Sequence, residues 1–365
     1  MGSMSHTNTT TSVPLLFEDK PMFALDVGRG SARVMQVARG KSAPRVVGYG
    51  VTTFDHSVIE NGVIVKHEVI AGAVQNLFKN GLIGDITTNR VALTVPVSRA
   101  FVRSIDAPKL SDKELAEAVR TEVEQYIPAA PDSLYIDYSQ VTDTKGKTSV
   151  LVVAIPRKIV DSHVTLARML GLEPVLVQTS SSAGTNLFAR DPQSGTPSVL
   201  VDFGSDSADI TIFDRNPVVS GTAACGGEQI TKIISDALNV NEREAFIIKS
   251  RYGLTVSKKQ AQIVAALKPI LGLLTREIRR TIRYYGERSK SKGEIGQIVI
   301  MGGGANMPGL TDYLTDELRV PVRSFDPMLY LDFGRLQPLN ESERMSYVTV
   351  AGLALYDPRK VFSHD

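Results

Sequence analysis

A duplicated turn signature constrains this chain more than any other feature. Ala24-Leu25-Asp26-Val27-Gly28-Arg29-Gly30-Ser31-Ala32 returns as Leu200-Val201-Asp202-Phe203-Gly204-Ser205-Asp206-Ser207-Ala208. Both read Asp-x-Gly-x-x-Ser-Ala, and Asp26 and Asp202, Gly28 and Gly204, and Ser31 and Ser207 each stand 176 residues apart. Each copy follows a short apolar strand and leads into a second, Arg33 to Val37 and Asp209 to Phe213, which predicts two β-hairpins with Gly/Ser turns. Gly and Asp are common in any turn, but identity at four residue types with one offset points to a duplicated unit. A glycine-rich turn presents backbone N–H groups as a concave nest for phosphate oxygens. A carboxylate just before it can hold Mg²⁺ through water. The expectation is that Gly28, Gly30 and Ser31 face Gly204, Ser205 and Ser207 across one polyphosphate, with Asp26 and Asp202 on the metal.

A third glycine run follows the apolar strand Gln297-Ile298-Val299-Ile300-Met301. It reads Gly302-Gly303-Gly304-Ala305-Asn306-Met307-Pro308-Gly309, with a helix predicted over 310–318. Glycines there let backbone approach a flat ligand closely, although a tight strand-to-helix turn needs them too. No Lys follows a GxxxxG frame and no complete GxGxxG opens a helix, which excludes a Walker A loop and disfavours a dinucleotide fold. Lys and Arg total 41 against 39 Asp and Glu, so bulk charge binds neither nucleic acid nor an anionic membrane. The single cysteine, Cys225, fits a reducing compartment. No HExxH or Cys/His spacing suggests zinc, and no apolar run is long enough to span a bilayer. A cytoplasmic location without direct membrane insertion is expected. The Ser/Thr-rich residues 1–20 read as a disordered tail that begins with a cloning remnant, Met1-Gly2-Ser3-Met4.

Between the hairpins, a helix is expected near 68–80 with Gly81 as its C′ residue. Strands follow over 90–95 and 101–105. Ser111-Asp112-Lys113-Glu114 reads as a capping box opening a helix with Leu115, Ala118, Val119, Val123 and Ile127 on one face, stopped by Pro128. Strands over 135–141 and 148–155 join at Lys145-Gly146-Lys147, and a helix over 157–170 closes at Gly171. Residues 86–157 therefore read as a small α+β insert with four strands. His163 reads as a partly exposed surface residue rather than a ligand. In the second half, 229–238 and 254–292 are helical by pattern. The basic end of the latter, Arg276, Arg279, Arg280, Arg283, Arg288, Lys290 and Lys292, reads first as a solvated face and second as a phosphate or peptide contact.

With these residues in view, the chain resembles the actin/Hsp70/sugar-kinase superfamily. The two Asp-x-Gly hairpins look like its phosphate-1 and phosphate-2 motifs, and Gly302-Gly303-Gly304 like its adenosine motif. Within it, the chain resembles the PilM family of actin-like type IV pilus assembly proteins. The residues that carry this are Val91-Ala92-Leu93-Thr94-Val95-Pro96, Glu122-Val123-Glu124-Gln125-Tyr126-Ile127-Pro128, Asp137-Tyr138, Gly226-Gly227-Glu228-Gln229-Ile230-Thr231, Gly302 to Leu310 and Ala351-Gly352-Leu353-Ala354-Leu355. The resemblance covers about 22–357. It implies an α/β, two-lobed actin-like ATPase fold made of duplicated ribonuclease H-like domains. Lobe 1 (1A) would be 21–85 and 158–195, carrying 86–157 as a 1C-type subdomain. Lobe 2 (2A) would be 196–225 and 294–357, with 226–293 as a helical 2B-type subdomain.

The resemblance also implies ATP or ADP with Mg²⁺ in the interlobe cleft, adding Gly226, Gly227, Glu228 and Lys249 to the nucleotide contacts. It implies a partner, the cytoplasmic N-terminal tail of a PilN-like bitopic membrane protein, docked between 1A and 1C. Pilus motor and platform proteins are further expected partners, and nucleic acid is not one. Three departures bear on activity. Ser180, with Gln178 nearby, stands where superfamily members often carry a water-orienting Glu or Gln, and a serine is a poor base. The ribose-contacting Ala-Glu-x-x-Lys reads Ala245-Phe246-Ile247-Ile248-Lys249. The phosphate-2 Gly-x-Gly-Thr reads Gly204-Ser205-Asp206-Ser207, where Asp206 would repel a γ-phosphate unless a metal lies between. Slow or absent hydrolysis is the expectation. An FtsA-like cell-division tether and an active ATPase or small-molecule kinase are the alternatives; the short polar C-terminus argues against the first, and Ser180 and Asp206 against the second.

Overall fold

The computed structural model describes residues 20–356 apart from 41–42, 107–111, 128, 143–147 and 289–293. The N-terminal stretch through residue 19, the Ser111 cap, the Lys145-Gly146-Lys147 turn, and Lys290 and Lys292 lie outside the described residues. Two sheets organise the chain, and each contains the same five-strand order. In the first, Phe23–Val27 pairs antiparallel with Ser31–Ala38, and that strand with Arg45–Thr53. On its other edge Phe23–Val27 pairs parallel with Arg90–Val95, which pairs parallel with Glu173–Thr179. In the second, Ser198–Phe203 pairs antiparallel with Ala208–Asp214, and that strand with Asn216–Ala223. Ser198–Phe203 pairs parallel with Gln297–Met301, which pairs parallel with Val322–Ser324. The duplication seen in two short motifs thus extends to whole sheets.

The central parallel strands are apolar along their length because helices cover both faces. All five residues of Gln297–Met301 are buried, as are all six of Arg90–Val95. Between the sheets lie two helices, Ser180–Phe188 and Val348–Ala354. Their Ala183, Leu187, Phe188, Val348, Ala351 and Leu353 share one core with Ala24, Met35 and Ala92 of the first sheet and Leu200, Phe213 and Met301 of the second. Each fully buried Leu, Val or Phe side chain there contributes roughly 1.5–3 kcal/mol, so the two halves are joined through packing as well as through the chain. The outer face of the first sheet is covered by His67–Asn80 and Arg157–Met169, that of the second by Gly227–Leu238, Gln260–Arg288 and Leu310–Leu318.

The insert differs from the sequence expectation in two respects. It contributes three strands, Phe101–Asp106, Leu134–Thr142 and Thr148–Pro156, and not four. Arg90–Val95 is a buried central strand of the first sheet, because its uninterrupted apolar run needs cover on both faces. Nor is the insert a separate layer. Phe101–Asp106 pairs with Asn216–Ala223 at Val219 and Arg103, which makes one eight-stranded sheet of the insert and the second half. The helix Asp112–Tyr126 does lay Leu115, Val119 and Val123 on Val150, Val152 and Ala154, as its apolar stripe requires.

Three smaller expectations are also corrected. The helix placed at 254–292 begins only at Gln260, because the N–H of Leu254 is drawn to the Pro308 carbonyl and that of Thr255 to the Tyr252 carbonyl. Gly81 ends its helix at φ −123° and not in the left-handed region. His163 is buried, not on the surface. It lies in the stripe of Ile159, Leu166 and Ala167, its Nδ1 is 2.9 Å from the Ile159 carbonyl, and Nε2 has no partner. Burial pushes its pKa down to about 4. The basic end of the Gln260–Arg288 helix is a solvated face where described: Arg279 and Arg280 are exposed and paired with Glu317 and Glu277.

Candidate functional site

The two glycine turns close in the same way. The Gly28 N–H donates to the Ser31 carbonyl and the Gly204 N–H to the Ser207 carbonyl, both at 2.9 Å. Each turn thereby places its aspartate at the end of the preceding strand, directly across from the second residue after its serine. Asp26 pairs with Arg33 and Asp202 with Asp209. Asp26 accepts a hydrogen bond from Thr94, and Asp202 from Thr349 at 3.3 Å. Asp209 accepts from Thr222 at 2.9 Å.

These carboxyls are neighbours in series, the charge of Asp26 acting on Asp202 and that of Asp202 on Asp209, and burial raises all three pKa values. Asp26 is raised by burial, against the Thr94 hydrogen bond and the attraction of Arg33. Asp202 is pushed up to about 6 by burial and then by the charge of Asp26. Asp209 is pushed up to about 7 by burial and then by the charge of Asp202. Arg33 is the cation facing Asp26 and Asp202. It donates to the Ser31 hydroxyl at 2.8 Å and lies 5.8 Å from the Tyr347 ring centre, while its buried Nε has no partner. Neighbouring buried carboxyls beside an incompletely satisfied guanidinium suit a hydrated divalent cation with a polyanion. Among the described residues no three His, Cys, Asp or Glu side chains converge to ligate a metal directly. Asp26 and Asp202 therefore suit a cation that keeps its water shell.

The tips of the two turns touch. Arg29 Nη1 and Asp206 Oδ2 form a 2.5 Å ion pair, both side chains being partly exposed. The bare repulsive charge expected at Asp206 is therefore neutralised by a residue of the other hairpin.

Gly226 and Gly227 have a structural part in the second turn. The N–H groups of Gly227 and Glu228, at the start of the Gly227–Leu238 helix, donate to the Gly204 and Ser205 carbonyls at 3.0 and 2.9 Å. They brace the second turn from behind. A side chain on Gly226 would place Cβ 2.1 Å from the Ser205 carbonyl oxygen. Lys249 joins this brace: its Nζ donates to the Gly227 carbonyl at 2.8 Å and to Thr231 Oγ1 at 2.9 Å, and burial lowers its pKa to about 8. Gly302 has φ +82°, and a Cβ there would lie 2.3 Å from Asp202 Oδ1, so the third glycine run also packs against the aspartate. Gly303 and Gly304 continue into the short turn Gly303–Asn306.

Ser180 opens the Ser180–Phe188 helix, and its hydroxyl accepts the Val97 N–H at 3.2 Å. Gln178 accepts from the Asn186 amide. Neither is left as a free base. Arg33, Thr94 and Thr349 were missed by sequence reasoning. For Arg33 the signal was present: it stands 176 residues before Asp209, so the repeat marked a position where one copy has a cation and the other an acid.

The PilM–PilN type IV pilus biogenesis complex has a chain similar in structure, with a TM-score of 0.78 and 22% identity over 92% of this chain and 98% of that one. MreB5 of Spiroplasma citri bound to ADP is similar with a TM-score of 0.50 and 13% identity, over 92% of this chain and 95% of that one. The cell division protein FtsA of Streptococcus pneumoniae serotype 2 is 21% identical in an alignment of 345 positions that covers 83% of this chain and 75% of that protein. These likenesses show the two-lobed actin-like ATPase fold, in agreement with the duplicated sheets. The family model described as type IV pilus assembly protein PilM matches residues 24–357, which includes both Asp-x-Gly turns, the insert and the third glycine run. The chain belongs to that family.

Proposed function

We propose that this chain is a nucleotide-binding adaptor of the type IV pilus inner-membrane assembly platform. The observation that carries the nucleotide reading is the pair of turns that close in the same way and meet tip to tip beside Asp26, Asp202 and Arg33. In this reading Gly28–Ser31 and Gly204–Ser207 cradle the phosphates of ATP or ADP with backbone N–H groups. Asp26 and Asp202 orient the water shell of Mg²⁺, which neutralises phosphate charge when bound. Arg33 balances the remaining negative charge from below. Gly302, Gly303 and Gly304 let the chain approach the adenosine. Ser180 and Gln178, which stand where a water-orienting residue is expected, are both engaged elsewhere, so in this reading hydrolysis is slow or absent and the nucleotide acts as a positional ligand.

The adaptor reading rests on family membership and on the insert, which supplies a structured surface beyond what a phosphate grip requires. Its partner is taken to be the N-terminal cytoplasmic tail of a PilN-like bitopic membrane protein, bound as an extended peptide between the insert and the first lobe. Such a tail would hold the chain at the inner face of the membrane; among the described residues no helix is long and apolar enough to cross it. The FtsA-like tether and the active kinase are not favoured, given a family match over 24–357. Calorimetric titration with Mg-ATP and Mg-ADP, and separately with a synthetic tail peptide, tests both parts. Saturable binding of each is expected; no heat at millimolar nucleotide would remove the first, and no peptide binding the second.

A further inference from the structure

We propose that Asp206 is a tethered anion that competes with a bound polyphosphate for Arg29, so that it weakens nucleotide binding in proportion to phosphate chain length. The proposal rests on the nucleotide reading above and concerns the regulation of that site. Arg29 and Asp206 are the tip residues of the two turns, one from each lobe, and their charged atoms meet at 2.5 Å. Asp26 and Asp202 already draw on Arg33, so Arg29 is a further cation, at the tips of the turns, for an anion to reach. Its field comes from Asp206 first, and Glu228 adds to it. A phosphoryl group that reaches the tips has to take the place of the Asp206 carboxylate on Arg29. It then lies beside that carboxylate, since the Gly227 and Glu228 N–H groups fix the 204–207 turn and leave it little room to withdraw. Asp206 thus has two costs for the ligand, a broken ion pair and a nearby like charge. Both vanish in Asn, which has the same shape.

Both side chains are partly exposed. The pair is therefore worth little to folding, and its effect on a bound anion is moderate and sensitive to salt. The test uses the full chain with Asp206→Asn and Arg29→Gln, titrated calorimetrically with adenosine, Mg-AMP, Mg-ADP, Mg-ATP and inorganic tripolyphosphate at low and high ionic strength. Asp206→Asn is expected to tighten ATP and tripolyphosphate about three- to tenfold at low salt, less at high salt, and to leave adenosine unchanged. Arg29→Gln is expected to weaken ATP more than AMP. Melting temperatures should stay close to wild type, which shows that both variants fold. ATP binding to wild type with no gain, or a loss, in Asp206→Asn overturns the proposal alone. An equal gain for adenosine also overturns it, since a charge competitor cannot act on a neutral ligand. Absence of ATP binding to wild type and variant alike at millimolar concentration overturns the nucleotide reading and this proposal with it.

Discussion

Asp209 faces Asp202 across a strand pair at the position that Arg33 holds opposite Asp26. One copy of the repeat therefore pairs an acid with a base, and the other pairs two acids. Burial, and then the charge of Asp26, raises Asp202 from 3.8 to about 6; burial, and then the charge of Asp202, raises Asp209 from 3.8 to about 7. A raised carboxyl pKa means that the folded state binds protons more tightly than the unfolded chain. The associated stability is fully present below about pH 4 and is lost as pH rises through 6 and 7. Asp209→Asn removes the part of that loss that Asp209 contributes. The variant should melt about 2 °C or more above wild type at pH 8 in the absence of divalent cations, and at the same temperature at pH 4. Differential scanning calorimetry across this range decides it; an equal offset at both pH values would mean that the effect is not electrostatic.

The brace behind the second turn leaves no room for a side chain. Gly226→Ala puts Cβ 2.1 Å from the Ser205 carbonyl and 2.3 Å from the Asp206 carbonyl carbon, both backbone atoms that cannot swing aside. The 204–207 turn has to move, so nucleotide affinity should fall at least tenfold, with a loss of about 1–3 kcal/mol in stability. Gly72 is the matched control. It lies exposed in the His67–Asn80 helix, with nothing within 4 Å of an added Cβ. Gly72→Ala should stabilise by about 0.5–1 kcal/mol and leave nucleotide affinity unchanged. Urea denaturation and nucleotide titration of the two variants separate the cases.

Much of the fold was legible because duplication is a global signal carried by local residues. Asp26, Gly28 and Ser31 with their counterparts marked the two hairpins, and strand–turn chemistry then placed them at equivalent positions in two sheets. What stayed hidden depends on non-local pairing. Arg90–Val95 reads the same whether it joins the insert or the first sheet; only its burial on both faces assigns it. The Val219–Arg103 pairing, the Arg29–Asp206 contact and the Thr94 and Thr349 hydrogen bonds all join residues remote in sequence. His163 was a different case: its neighbours Ile159, Leu166 and Ala167 had its i−4, i+3 and i+4 spacing, and the stripe should have outweighed its polarity.

Ser180 is engaged with the peptide N–H of Val97 and not with the buried carboxyls. A hydroxyl so placed orders the start of its helix and the chain leading into the insert, without a role as a base. Lack of a positioned base costs ~10²–10⁴-fold in rate, so turnover should be far below that of a dedicated ATPase. Ser180→Ala should leave that low turnover unchanged within a factor of about two. A single-turnover phosphate-release assay measures it. A drop of a hundredfold in the variant, or a wild-type rate of several per second, would place Ser180 or another group in the chemistry.

The insert can be removed at a defined place. Pro96, Arg99 and Ile159 all lie against Gly62, so the chain leaves the first lobe and returns to it at nearly one point. Cutting at residue 86 would take out the buried Arg90–Val95 strand and unfold the lobe, whereas replacing 100–156 with a short Gly-Ser link spares it. The cost is an exposed edge on Asn216–Ala223, which loses its partner Phe101–Asp106. A tail peptide of the proposed kind, if disordered when free, loses conformational entropy on docking, so micromolar affinity is expected for the intact chain. Burial of apolar side chains would drive it, so raising salt should change it little. The shortened chain should lose peptide binding while nucleotide binding stays within about threefold. Cooperative melting of the shortened chain shows that it is folded; saturable peptide binding by that folded protein would place the partner site on the two lobes instead.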